Sequence, residues 1–557
     1  MVTGEVQQSI QAATMPTMQI MTVADTFVKQ LEAWGVERIY GVMGDTFLDF
    51  LDAVERSSIQ FVAVKHEGTA AFMASAEAKL TGKLGVCIAT SGPGMANLLN
   101  GLGDAYQDKV PVLAITGQVP TKKIGTDTKQ YLDQQVFIEP LAAYSALLSA
   151  PDATVELVTK AMHTAMEWGA VTHLSVPKDL WSQQQTNAVR KPPQLVKGVV
   201  QFNPQDVEQA VAIMKTAQQP VVVAGIGARE AAGDVVRLCA AWGAGLILSL
   251  GAKGMIEESF PQLLGGIGKG GSPQASQLLK KADVVLLAGD TWWPEGYVPE
   301  TARLIQIDYA AANIGTRFSV ELGLVGATGQ VLPELAKRMA GHEQNEQWLT
   351  YVGQQRSKWY AQVEKEATTE GTPVHPARLV RALQNTVAND AVLCVDTGDH
   401  TVWFSRIFAG SGEQKTLFSG TWRSMGFGLP AAMAAQLIQP ERQVVALVGD
   451  GCLGMTLADL STAARYNLPL TVVVVNNGNL QMETDRQKVG QHTTLGSDLT
   501  NPDFVKVAEA CGLAGFRVTD SAELDQTLEQ AFALPGPVLV DVSTLPLTFP
   551  NTSPQEG

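Results

Sequence analysis

The stretch VVALVGDG (444–451), followed 26 residues after Gly451 by the second asparagine of LTVVVVNN (470–477), decides how this chain is read. Each begins as a run of Val, Leu and Ala without polar alternation, the mark of a strand covered on both faces and hence of a parallel sheet. Each ends in turn-forming polar residues. Two adjacent parallel strands present their C-terminal ends on one edge of a sheet, where α/β proteins bind ligands. Asp450 and Asn477 therefore converge. A carboxylate beside amide oxygens, with Asn479 two residues on, suits a hard six-coordinate cation such as Mg²⁺, which keeps water and substrate phosphates in its other positions. Gly449 and Gly451 admit phosphates close to the backbone, with Cys452 next in line, and a helix expected to start near Met455 turns its positive end toward them.

Working outward, the same kind of run recurs at 38–42, 61–64, 84–89, 110–116, 221–224, 246–250, 284–288, 304–307, 391–395 and 538–542, with amphipathic segments between. The fold class is α/β, with parallel sheets flanked by helices. Polar, Pro- and Gly-punctuated stretches at 191–204 and 341–376, the second with a helix over 348–363, divide the chain into three domains, 20–190, 200–340 and 370–546. The first and last echo each other. GVCIAT (85–90) runs into Ser91-Gly92-Pro93-Gly94 and, a helix later, into a strand opened by Val110-Pro111; VVALV runs into Gly449-Asp450-Gly451 and a strand opened by Leu468-Pro469.

Composition excludes several classes. The 557 residues are 45% hydrophobic and 17% charged, so the chain can build cores, and a net charge of −15 repels nucleic acid and anionic lipid. The five cysteines stand far apart with no CxxC, which fits a reducing, cytoplasmic location and suggests neither a zinc site nor a disulfide framework. No run reaches the ~18 to 20 apolar residues of a membrane helix. Residues 1–20 read as a flexible leader without a signal peptide's basic and apolar regions. The tail from 544 carries three prolines and no Lys or Arg, a poor lipid anchor.

GDG followed at this distance by NN resembles the signature of thiamine-diphosphate-dependent enzymes, and YGVMGDTF (40–47), KHEGTAAFMA (65–74) and SGPGMANLLNG (91–101) extend the resemblance to the pyruvate oxidase and acetolactate synthase branch, most like pyruvate oxidase. The resemblance implies a pyrimidine-binding N-terminal domain, an FAD-type middle domain and a diphosphate-binding C-terminal domain, with the cofactor held between chains of a homodimer or homotetramer. It implies that Glu67 contacts N1′ of the aminopyrimidine, that Met425 in GTWRSMGFG wedges beneath the cofactor, and that Gly398 and Asp399 of DTGDH lie near its diphosphate. Gln130 and Met482 fall at positions that meet substrate. Gly225 and Gly227 of VVVAGIG, Lys253 and Asp308 fall where the middle domain would hold FAD, although Glu230 replaces the third glycine of a dinucleotide fingerprint. The implied reaction is decarboxylation of pyruvate or a similar small 2-oxo acid, with electrons passing to FAD and acetyl phosphate or acetate as product. Carboligation and a non-catalytic paralogue are the rivals. Lys129 before Gln130, Leu480-Gln481-Met482-Glu483 after NN, and Arg486 four positions beyond Met482 depart from the oxidase pattern, and no tryptophan follows as in acetolactate synthases.

Overall fold

The computed structural model describes residues 21–193, 202–290, 294, 296–548 and 550. The leader, the centre of the first linker and the end of the C-terminal tail lie outside these residues. Three six-stranded parallel sheets organise the chain. All twelve predicted strands are present. The first sheet holds Arg38–Gly41, Gln60–Ala63, Gly85–Ala89, Val112–Gln118, Ala142–Leu147 and Val171–Pro177, in the spatial order second, first, third, fourth, sixth, fifth. The last holds Val392–Val395, Lys415–Leu417, Val444–Gly449, Leu470–Asn476, Ala514–Val518 and Val538–Ser543 in the same order. The echo in sequence is thus an echo in topology. The middle sheet, Pro220–Ala224, Gly245–Leu248, Leu263–Gly266, Val284–Ala288, Arg303–Asp308 and Leu322–Val325, runs third, second, first, fourth, fifth, sixth. That order reverses beside its first strand, creating the crevice in which doubly wound sheets take ligands. The helix expected over 348–363 is longer, Glu346–Ala367.

Period-two geometry explains why runs apolar throughout are required. In the last sheet Val444, Ala446, Val448, Leu470, Val472 and Val474 enter one core, while Val445, Leu447, Val473 and Val475 enter another on the opposite face. Each fully buried Val or Leu stabilises the fold by about 1.5–3 kcal/mol relative to exposure. The first of these cores is shared with the N-terminal sheet through two helices rich in small residues, Glu67–Thr81 and Gly428–Ile438. Alanine lets their backbones approach, so Ala70, Ala71 and Ala74 of one and Ala431, Ala434 and Ala435 of the other are fully enclosed.

A buried charge cluster ties the same elements. Lys79 Nζ meets Asp104 Oδ2 at 2.6 Å and Asp108 Oδ2 at 2.8 Å and donates to the Phe418 carbonyl at 2.9 Å. Burial alone would pull the ammonium's pKa down; the two carboxylates more than reverse it and leave it raised. Asp108 also accepts the N–H groups of Gly420 (2.8 Å) and Thr421 (2.7 Å), fixing the loop that leads to Met425.

Candidate active site

Strands Val444–Gly449 and Leu470–Asn476 are parallel neighbours in register from Val444 with Leu470 to Gly449 with Val475, so their C-terminal ends share an edge. A cavity of about 620 Å³ opens there, lined by Asp450, Asn477 and Asn479 together with Gly449, Gly451 and Met425. The helix expected near Met455 begins five residues earlier, at Asp450, because the turn passes straight from strand into helix without a linker. Asp450 is buried. Its Oδ1 accepts from Gly451 N (3.0 Å) and its Oδ2 from Gly478 N (2.8 Å) and Asn501 Nδ2 (2.7 Å). Burial pushes its carboxyl up, against the pull of these donors. Asn477 Oδ1 accepts from Asn479 N at 3.0 Å, and Asn479 Oδ1 accepts from Thr484 Oγ1 at 2.7 Å. One carboxylate with amide oxygens matches the donor chemistry of Mg²⁺ when phosphates complete the shell.

Met425 stands over this turn: a Cβ added at Gly451 would lie 3.2 Å from Met425 Cε and 2.9 Å from Leu480 Cδ2. Asp396, at the end of strand Val392–Val395, fixes the Met425 turn. It accepts from Gly426 N at 3.0 Å and Gly428 N at 2.8 Å, and burial raises its pKa to about 6 in spite of those donors. Gly398, Asp399 and His400 line the cavity, as do Cys452 and Met482. Cys452 Sγ donates to Thr397 O, and burial pushes its thiol well up. Asp399 is raised to about 7, first by burial and then by Asp485. His400 is pulled down to about 4 by burial, and its Nε2 has no hydrogen-bond partner among the described residues. An unpartnered buried polar atom on a ring that packs against Gly449 is the condition a phosphate oxygen would relieve.

Glu67, at the start of a helix, and Gln130, in a loop, belong to the N-terminal domain and do not line this cavity within one chain. They form a second assembly. Glu67 is buried at the start of its helix, accepts from Asn97 Nδ2 at 2.9 Å, and lies so close to the Ser91–Gly94 turn that a Cβ at Gly94 would be 3.2 Å from its Oε1. Gly92 in that turn has φ +66°, and a Cβ there would strike Gln130 O at 2.8 Å; the loop bearing Gln130 seats on it because glycine leaves room.

In the middle sheet the four positions expected to hold a flavin make mostly internal contacts. A Cβ at Gly225 would meet Asp290 Cβ at 2.3 Å, and one at Gly227 would meet Gly289 O at 2.9 Å, so both glycines serve close packing of two strand ends. Asp308 Oδ1 accepts from Ala310 N and Asn313 Nδ2, both at 2.9 Å, and caps its own loop. Lys253 alone has capacity to spare: it is buried, and its Nζ comes no nearer than 3.8 Å to Glu258 Oε2.

Sequence comparison agrees with this geometry domain by domain. The N-terminal TPP binding domain of thiamine pyrophosphate enzymes matches residues 21–137, the central domain 207–335 and the C-terminal TPP binding domain 396–542. Protein YdaP of Bacillus subtilis is 35% identical over 94% of this chain and 91% of its own. The chain belongs to the thiamine pyrophosphate enzyme family. Pyruvate oxidase of Lactiplantibacillus plantarum is 30% identical over 92% of this chain and 87% of its own, and acetolactate synthase of Mycobacterium leprae is 32% identical over 94% and 87%. This thiamine pyrophosphate enzyme is therefore of the branch that contains both. No helix among its described residues is long and apolar enough to cross a membrane.

Sequence reasoning overlooked several residues around the site, Asn501 and Asp485 among them. Asn501 donates to Asp450 Oδ2 and also to Asn476 Oδ1 at 3.1 Å, from a polar loop that carries no local signal. Asp485 could have been found as the carboxylate one helical turn beyond Gln481, whose Nε2 it accepts at 2.7 Å.

Proposed function

We propose that the protein decarboxylates pyruvate or a similar small 2-oxo acid with thiamine diphosphate and Mg²⁺, passing electrons to FAD and releasing acetyl phosphate or acetate. The carrying observation is the meeting of Asp450, Asn477, Asn479 and Met425 in one cavity at the C-terminal edge of the last sheet. Asp450 with the asparagine oxygens would hold Mg²⁺ and through it the diphosphate, with Gly449, Gly451 and Gly398 leaving the backbone accessible. Bound thiamine diphosphate supplies the electron sink for loss of CO₂. Met425, fixed by the turn that Asp396 holds, sets the orientation of the cofactor's two rings. Glu67 holds and returns a proton at the pyrimidine ring nitrogen, and Gln130 and Met482 border the substrate. Because the Glu67 assembly and the Asp450 cavity are separate within one chain, the complete site draws on two chains, which makes a dimer or tetramer the working form.

FAD is proposed from the ligand crevice of the middle sheet and from the reach of the cavity into that domain at Leu250, Ile267 and Tyr297. The absorption spectrum of purified protein under anaerobic conditions, with and without pyruvate, tests it. A flavin band that bleaches on addition of pyruvate is expected. A band that persists while acetolactate forms would transfer the protein to the carboligases, and a protein without flavin would remove the oxidase reading.

A further inference from the structure

Arg423 lines the cavity two residues before Met425 with its backbone at φ +56°, a region costly to any residue with a Cβ unless its surroundings hold it there. The surroundings do so. Gly420 and Thr421 are tied to Asp108, Trp422 Nε1 donates to Asn100 Oδ1 at 2.9 Å, and Ser424 N donates to Ser419 Oγ at 2.9 Å. Every polar neighbour in the loop is anchored, yet the guanidinium makes no hydrogen bond or ion pair among the described residues. Asp108, the carboxylate whose field acts on it, is already engaged by Lys79 and two backbone N–H groups. Arg423 is exposed to solvent, so its guanidinium is hydrated, and desolvation draws its pKa down against the field of Asp108.

Lys269, in the Gly268–Gly270 loop of the middle domain, lines the same cavity and is also without an ion pair among the described residues, whereas Arg486 is satisfied by Glu483 at 2.6 Å. Two solvent-exposed cations without a protein ion pair among the described residues thus line one cavity from different domains. The planar fork of arginine matches a carboxylate or phosphate through paired hydrogen bonds. Pairing with the carboxylate that leaves as CO₂ would stabilise the ground state and oppose the reaction. An anion that survives the reaction carries no such penalty.

We propose that Arg423, assisted by Lys269, recognises a second anionic group on a reactant, one retained through the chemistry: a distal acid on the 2-oxo acid or a free phosphate acceptor. This deepens the function proposed above and rests on it. The test uses full-length protein with thiamine diphosphate and Mg²⁺, comparing wild type, Arg423→Gly and Arg423→Lys. One arm measures kcat/KM for 2-oxoglutarate against 2-oxobutyrate, which differ in the distal carboxylate; the other measures the dependence of pyruvate turnover on inorganic phosphate.

Wild type is expected to show at least about a tenfold preference or a saturable phosphate dependence in one arm, which identifies the source of the anion. Arg423→Gly should lose it by about tenfold to a hundredfold while keeping or raising the apparent melting temperature, since glycine relieves the backbone. Arg423→Lys should recover only part, because a point charge does not reproduce the fork. Absence of both effects in wild type, or their persistence in Arg423→Gly, would overturn the proposal. So would loss of cofactor affinity by calorimetry, which would assign the guanidinium to the diphosphate, or loss of the oligomer by light scattering, which would assign it to a subunit contact. Failure of wild type itself to bind thiamine diphosphate would instead remove the underlying function.

Discussion

Replacement of Asp450 by alanine is expected to abolish Mg²⁺-dependent binding of thiamine diphosphate, measured by calorimetry as the loss of detectable cofactor heat. The carboxylate is the one anionic ligand proposed for the metal, alongside the neutral amide oxygens of Asn477 and Asn479. Alanine also strands the donors of Gly478 and Asn501, which Asp450 now satisfies. Asp450→Asn separates the two effects in part, since it retains the shape and one acceptor oxygen while removing the charge and turning an NH₂ toward the donors on one side. Loss of metal dependence in both variants, with the fold retained in Asp450→Asn, is the expected result. Tight binding by either would place the metal elsewhere.

The second large effect is expected at Glu67. Glu67→Gln conserves the helix start and the contact with Asn97, yet cannot share a proton with a ring nitrogen. Turnover should fall by roughly a hundredfold or more, the scale for losing an acid-base group. Cofactor affinity should be retained, because Asp450 and the asparagines lie in a different domain. Steady-state CO₂ release with the cofactor saturating checks this, and near-normal turnover would remove Glu67 from the chemistry.

What the sequence disclosed follows from burial. The twelve strands found were those whose side chains are apolar on both faces, and eleven of them are in the interior of a sheet; Gln60–Ala63 is the edge strand among them. Of the six longer strands missed, Ala142–Leu147, Leu263–Gly266, Leu322–Val325, Lys415–Leu417 and Ala514–Val518 are edges, short, half-buried or ending in glycine, and carry little apolar signal. Val171–Pro177 is interior but polar in composition. Its His173 is enclosed between Thr116 Oγ1 at 2.7 Å and Ser145 Oγ at 2.8 Å, and burial pulls the ring's pKa down to about 3. Polar residues satisfied only across strands look like loop until the partners are in place.

The site divides along the same line. GDG and NN are local and mark the metal position by themselves. Asp396 acts on Gly426 and Gly428, thirty and thirty-two positions away, and Asn501 reaches Asp450 across fifty-one. Contacts at such separation leave no periodicity to read. The misplaced helix start near Met455 has a local cause: GDGCLG contains two turn-like glycines before Gly454, and tertiary packing of Cys452 and Leu453 overrides their preference.

Subunit mixing tests the central claim, that each active site joins Glu67 of one chain to Asp450 of another. Glu67→Gln and Asp450→Ala proteins, each inactive alone, are dissociated, combined in equal amounts, reassociated with thiamine diphosphate and Mg²⁺, and assayed for CO₂ release from pyruvate. A shared site predicts recovery of about a quarter of the wild-type activity, since half of the randomly paired dimers are mixed and each mixed dimer has one intact site of two. No recovery, with exchange of subunits verified by mass, would show that both residues act within the same chain or not at all.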